Sequence, residues 1–356
     1  MKEKGGEVIA IEANEAEMLA RRYCALSVRH LSGKQLVYAE YGDPVKVLKL
    51  QTIDLPDTPL SGQVHVKWIA APINPADLNT LQGVYPIKPP LPAVAGNEGY
   101  GRVEKVGDGV KGLKVGDHVL PSKAGLGIWR TDGHHKEAEL FPIDNTLPLE
   151  ASATLQATYR MLKDFVNLKP GDTVIQNGAN SAVGKAAIQI CRLRGLRSIN
   201  VVRKRDDMAS LVSELKSLGA NEVITEDQLL KEYRGKIKDV RLALNCVGGR
   251  SALLLASTLG FRGCMVTYGG MSKQPLQVPT GPLIFKDIRL TGFWMSRWYE
   301  DEKNVEERKH MYDELGAWIK AGEFRSPKFE KRSLQQYSEA IETAATKFDK
   351  KQLFIL

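Results

Sequence analysis

Cysteine is scarce in this 356-residue chain, and the four present (Cys24, Cys191, Cys246, Cys264) lie far apart. No C-x-x-C pair occurs, which argues against a structural zinc site and against a disulfide framework. There is no apolar run long enough to span a bilayer, so membrane insertion is not expected. Zinc-finger spacing and an arginine-rich arm are also missing, and with them the main signatures of nucleic-acid binding. The formal charge of +8 is spread along the chain among acids, and it suits anionic small molecules or carriers.

What is present divides the chain in two, as its length leads one to expect. Residues 35–157 alternate short β-rich runs ("QLVYAEYG", "KVLKLQTI", "QVHVKWIAAP") with Gly and Pro turns, a β-rich domain without βαβ rhythm. One short helix is expected at "NPADLNTLQG", with Asn74 as N-cap, Pro75 at its first position and Gly83 stopping it. From 158 to 304 strands and helices alternate, and the apolar strands mark a doubly wound parallel sheet covered on both faces. The last segment, 305–356, is expected to return to the first domain through a helix near 335–347 and a terminal strand "QLFIL".

The first 34 residues read as a tail. Residues 1–17 hold five glutamates, whereas Met18–Lys34 carries Arg21, Arg22, Arg29 and Lys34 and no acid. The second stretch has the composition of a mitochondrial transit peptide, with residues 1–17 masking it. Matrix localisation follows as an expectation.

"VIQNGANSAVGKAA" is a strand, a small-residue turn and a helix start, a place for a pyrophosphate to rest on a helix N-terminus. Asn180, Ser181, Ala182 and Val183 are the candidate contacts. The next strand ends in Arg203, Lys204 and Arg205, where an NAD enzyme would carry an acid for the ribose 2′-hydroxyl. A cationic tip suits a 2′-phosphate, so NADPH is the expected cofactor.

The stretches "AAPINPADLNTLQGVYPI", "GNEG", "AGLGIWRT", "VIQNGANSAVG", "INVVRKR", "RLALNCVGG", "MVTYGGMSKQP" and "LIFKDIRLTGFWMSRW" together resemble the medium-chain dehydrogenase/reductase superfamily. Closer still, they are similar to its zinc-free mitochondrial 2-enoyl thioester reductases. The resemblance implies a GroES-like catalytic domain (35–157 with 305–356) and a Rossmann cofactor domain (158–304). It implies a homodimer joined through sheet edges of the cofactor domains, with the strand around "RLTGF" a candidate edge, and a 2-enoyl thioester of acyl carrier protein or coenzyme A as substrate. By the same resemblance Tyr85 is the proton donor to the α-carbon and Trp294 lines the reaction cleft. Tyr268, Gly269, Gly270, Met271, Phe293, Met295, Ser296 and Lys351 then approach the cofactor. Asn97 stands where zinc-dependent alcohol dehydrogenases have a histidine ligand, and a neutral amide is a weak ligand for Zn²⁺.

One departure from the family lies at "SATLQATYRML" (152–162), about four residues shorter and without the family's cofactor-contacting asparagine, roughly one helical turn. Two alternatives stay open on the sequence: a quinone or enal reductase of the same superfamily, and an NADPH-binding paralogue with weakened catalysis.

Overall fold

A computed structural model of the chain describes residues 30–145, 155–233, 235–347 and 350–356. The expected tail therefore lies almost wholly outside the described residues, as do positions 152–154 of the shortened segment. One boundary needs correction. Strand β1 begins at His30, so 30–34 pair in a sheet instead of belonging to the tail.

In the first domain β1 (His30–Tyr38) runs antiparallel to β2 (Lys49–Pro56). Its end also pairs with β4 (Ala93–Val94). The larger sheet is built on β3 (Gln63–Pro72), β5 (Tyr100–Val106), β6 (His118–Pro121), β7 (Asp132–Lys136) and β8 (Leu140–Ile143). Trp68, Trp129, Leu36 and Val66 meet between the two sheets, fully shielded from solvent. Large rings held there fix how the sheets stack, because a close-packed interior resists changes of volume.

Among the described residues the second domain has six parallel strands. In order across the sheet they are β11 (Glu222–Thr225), β10 (Arg197–Val202), β9 (Thr173–Gln176), β12 (Val240–Asn245), β13 (Leu259–Thr267) and β14 (Arg289–Gly292). The order reverses between β9 and β12, and ligands of such sheets bind outside the carboxyl ends at that reversal. Among the described residues β14 is an edge, in agreement with the candidate edge that the family resemblance implied.

The C-terminal return is shorter than 305–356. Helix Val305–Lys320 packs Met311, Tyr312 and Leu315 into the core that holds Val174, Leu242 and Val266, so it belongs with the parallel sheet. The return begins at β15 (Phe329–Ser333), continues through helix Tyr337–Thr346, and ends in β16 (Lys351–Ile355), which pairs with β3. The helix preceding β9 spans Leu155–Asp164 and shares the same core, which moves the start of the second domain to Leu155 or earlier.

Phe354 of β16 is fully buried, with its ring edge-on to Trp129 at 5.2 Å. Phe354→Ala is expected to cost about 3–5 kcal/mol of stability, read as a lower urea midpoint. A loss below about 1 kcal/mol would mean that the returning strand does not hold the catalytic domain together.

Candidate active site

The cleft between the domains is built from one short helix and the ends of several strands. Helix Pro75–Leu81 starts at Asn74, whose N–H donates to Asp77 Oδ2 at 2.7 Å. It stops at Gly83, which has φ +74°, and a Cβ there would lie 2.9 Å from the Tyr41 side chain. Conformation and space both call for glycine at that point. The chain then turns back, and the Val84 and Tyr85 N–H groups both donate to the Asn79 carbonyl, at 3.0 and 3.2 Å.

That turn delivers Tyr85 to the cleft. Its hydroxyl accepts a hydrogen bond from Trp294 Nε1 at 2.8 Å, and the two rings stand nearly perpendicular, 6.1 Å apart. Trp294 comes from the other domain, directly after β14. Two residues 209 positions apart are thus held together across the cleft. Burial pushes the Tyr85 phenol above its ordinary range, with help from the charges of Asp77 and Glu98, while the Trp294 N–H pulls the other way.

Asn97 has a defined task. Its backbone and side-chain N–H groups both donate to Asp77 Oδ1, at 2.9 and 2.7 Å, and its Oδ1 accepts the Gly125 N–H at 2.9 Å. Both ends of the amide are therefore engaged within the protein. Burial drives the Asp77 carboxyl up to about 7, and its N–H donors oppose that rise. Lys351 Nζ is hydrogen-bonded to Asn74 Oδ1, and burial lowers its pKa. Glu98 Oε2 is buried with no hydrogen-bond partner among the described residues, and its charge reaches Asp77, Tyr85 and Lys351. A buried acceptor left open inside a cleft is a place for a ligand N–H or O–H.

The cofactor turn follows β9. Gly178 takes φ +59°, and a Cβ there would sit 2.5 Å from Cys246 Sγ. Ser181 caps helix Ala182–Leu193 by accepting the Gly184 N–H at 3.0 Å. A Cβ on Gly184 would lie 2.6 Å from the Ala179 backbone, so the helix and the turn can pack closely only with glycine there. Asn180, Ser181, Ala182 and Val183 lie half-buried at this helix start. At the tip of β10, Arg203 and Lys204 are exposed, with no ion pair among the described residues, and Arg205 lies 3.8 Å from Asp207.

Tyr268, Gly269, Gly270 and Met271 follow β13, pinned by bonds from the Tyr268 and Met271 N–H groups to the carbonyls of Asn245 and Cys246, each 2.9 Å. Gly270 is open on its outer side and Met271 is exposed. Phe293 packs edge-on against Phe165 at 5.6 Å and joins the interdomain core. Met295 and Ser296 begin the helix Met295–Glu300 beside Trp294.

Sequence reasoning missed a buried polar layer under this turn. Asn177 Nδ2 donates to Asn245 Oδ1 at 2.8 Å and to Ser251 Oγ at 3.0 Å, while its Oδ1 accepts the Cys246 N–H at 2.8 Å. Gln176 Nε2 donates to the Gly184 carbonyl and to Asn200 Oδ1, at 2.9 and 2.8 Å. These amides tie the turn after β9 to the ends of β10 and β12. The available signal was an amide closing each otherwise apolar strand, in "VIQN" and "LALN".

Comparison with known proteins agrees with this geometry. Residues 60–135 match the alcohol dehydrogenase GroES-like domain, and 182–309 match the zinc-binding dehydrogenase domain. A mitochondrial enoyl-[acyl-carrier-protein] reductase of Caenorhabditis elegans is 59% identical over 92% of this chain and 96% of its own length. The chain belongs to the mitochondrial enoyl-[acyl-carrier-protein] reductases. The family's Bos taurus member is 47% identical over 88% of this chain and 86% of its own length. Among solved structures, the Etr1p complex with NADP and crotonyl-CoA is 33% identical with a TM-score of 0.85, covering 92% of this chain and all of the other. A Pseudomonas syringae quinone oxidoreductase superposes with a TM-score of 0.77 at 26% identity, over 91% of this chain and all of its own.

Proposed function

We propose that this chain reduces the C2–C3 double bond of trans-2-enoyl thioesters, carried by acyl carrier protein or coenzyme A, with NADPH, as the last step of mitochondrial fatty-acid synthesis. The observation that carries the reading is the Tyr85 hydroxyl held by the Trp294 N–H where the two domains face each other. Identity of 47–59% to mitochondrial reductases of that name supports it, against 26% to the quinone oxidoreductase.

The residues fit NADPH. The start of helix Ala182–Leu193, with Gly178 and Gly184 leaving room, would hold a pyrophosphate at Asn180–Val183. Arg203 and Lys204 would face the 2′-phosphate, and the Tyr268–Met271 loop, Trp294, Met295, Ser296 and Lys351 would surround the rest. When bound, NADPH supplies the hydride that adds to the β-carbon.

The chain's own part is the proton. An indole N–H can only donate, so the Tyr85 oxygen is the acceptor in that pair and its own O–H proton remains free for the substrate α-carbon. Burial keeps the phenol protonated at working pH. Once the proton leaves, the same indole N–H stabilises the phenolate, so acid strength and position come from one contact. Backbone and cofactor donors would stabilise the enolate charge on the thioester oxygen.

We place the enzyme in the mitochondrial matrix, in keeping with the acid-free composition of residues 18–34 and the names of its relatives. A homodimer is supported by the open edge at β14 and by Ile284 and Phe285 beside it, 63% and 82% exposed. Phe285→Asp is expected to yield monomers in sedimentation velocity, and a variant that sediments like wild type would exclude this face. For the chemistry, Tyr85→Phe is expected to lower kcat with a trans-2-enoyl-CoA by about 10²–10⁴-fold, followed at 340 nm, while NADPH still binds. Undiminished turnover in that variant would remove Tyr85 from the reaction.

A further inference from the structure

The Asp77 carboxylate does more than cap its own helix. It is only 2% exposed, and it accepts from Asn74 on one oxygen and twice from Asn97 on the other. Through Asn97 Oδ1 it is linked to Gly125 as well. One carboxylate thereby joins the start of Pro75–Leu81, the 96–99 turn, and the loop between β6 and β7. The helix has seven residues, too few to hold its place by its own hydrogen bonds. At its far end the Asn79 carbonyl holds the Tyr85 N–H, so the placement of the helix is also the placement of Tyr85.

The pairing is specific in its chemistry. Three N–H donors converge on the two oxygens of one carboxyl group, and a buried mismatch there would leave polar groups unsatisfied. We propose that Asp77 and Asn97 form a clamp that positions the Tyr85 hydroxyl, which makes both of them positioning residues for proton delivery. The clamp rests on the reading of Tyr85 as the acid, a reading that gives neither residue a contact with substrate or cofactor.

Asp77→Asn would turn an NH₂ group toward either the Asn74 N–H or the Asn97 N–H groups, whichever way the new amide sits. Asn97→Asp would set a second carboxylate against the first. Making both changes together restores a donor opposite an acceptor between the two side chains and keeps an acceptor for Gly125, while the residue-97 backbone N–H is left facing the new NH₂, so the rescue is partial. Two readouts separate the clamp from the acid: turnover of a trans-2-enoyl-CoA, and ¹⁹F NMR of cofactor-free protein labelled with 3-fluorotyrosine. Tyr85→Phe assigns the Tyr85 resonance by its loss.

Each single substitution is expected to lower kcat by about 10- to 100-fold, the scale of a 1 Å misplacement, and to move the Tyr85 resonance. NADPH affinity should stay within about twofold, since, Lys351 apart, the residues read as holding it lie on the other domain. The double variant should recover about tenfold in kcat over either single and bring the resonance back. Should Asp77→Asn fail to fold, Asn97→Asp and the double variant carry the test. The clamp is overturned if kcat stays within about twofold of wild type, if NADPH affinity falls in step with kcat, if the Tyr85 resonance does not move, or if the double variant is no better than the worse single. Wild-type turnover in Tyr85→Phe would instead overturn the acid, and the resonance would still report on the clamp.

Discussion

The proton delivery proposed for this site depends on one hydrogen bond across the cleft, from the Trp294 indole to the Tyr85 hydroxyl. It has meaning only if the two domains keep their relative placement, and several contacts serve that end. Helix Val305–Lys320 lies in the cofactor-domain core, yet its Arg308 donates to the Pro121 carbonyl of β6 at 2.9 Å. The same guanidinium lies 4.1 Å from the ring centre of Phe141 and 3.9 Å from that of Tyr299. A buried arginine sandwiched in this way combines cation–π attraction with fixed hydrogen-bond direction. Tyr100 and Leu120 of the first domain complete the shared core.

Asn97 shows how a scaffold that can carry a metal ligand is used differently. A histidine at a metal site spends one nitrogen on the metal and needs a second group to orient the other. Asn97 instead spends its amide on Asp77 and Gly125, so the turn is held by hydrogen bonds within the chain. At this position the chain holds the frame around the site by hydrogen bonds. Asp77, Glu98 and Lys351 stay close enough for each carboxylate to raise the lysine pKa against the lowering effect of burial.

Much of the architecture was legible in the chain, for physical reasons. The small-residue turn 178–184, the apolar strands around it and the cationic tip at 203–205 each follow from local rules of packing and charge, and the sheet is built as they imply. The capped helix at Asn74–Leu81 was equally plain, with Pro75 at its start and Gly83 at its stop. Tyr85 was different. Its partner lies 209 residues away, so only the family resemblance, not spacing, could single it out. By local rules Asp77 is an ordinary acid in a helix first turn, and nothing local marks it as the acceptor for a turn 20 residues on. The amide layer at Asn177 and Asn245 was hidden for the same reason, since a single Asn at a strand end is also an ordinary turn former. Assigning helix Val305–Lys320 to the first domain failed because its charged surface says nothing about which core its Met311–Leu315 face enters.

The most direct measurement of the central claim is kcat for Trp294→Phe, made alone and in the Tyr85→Phe background. Phenylalanine keeps an aromatic ring but has no N–H to offer the phenol. If the indole works through Tyr85, the single change lowers kcat by about tenfold or more, while in the Tyr85→Phe background it adds almost nothing. Equal losses in both backgrounds would contradict the account, because Trp294 would then act on the reaction by a route that does not pass through Tyr85.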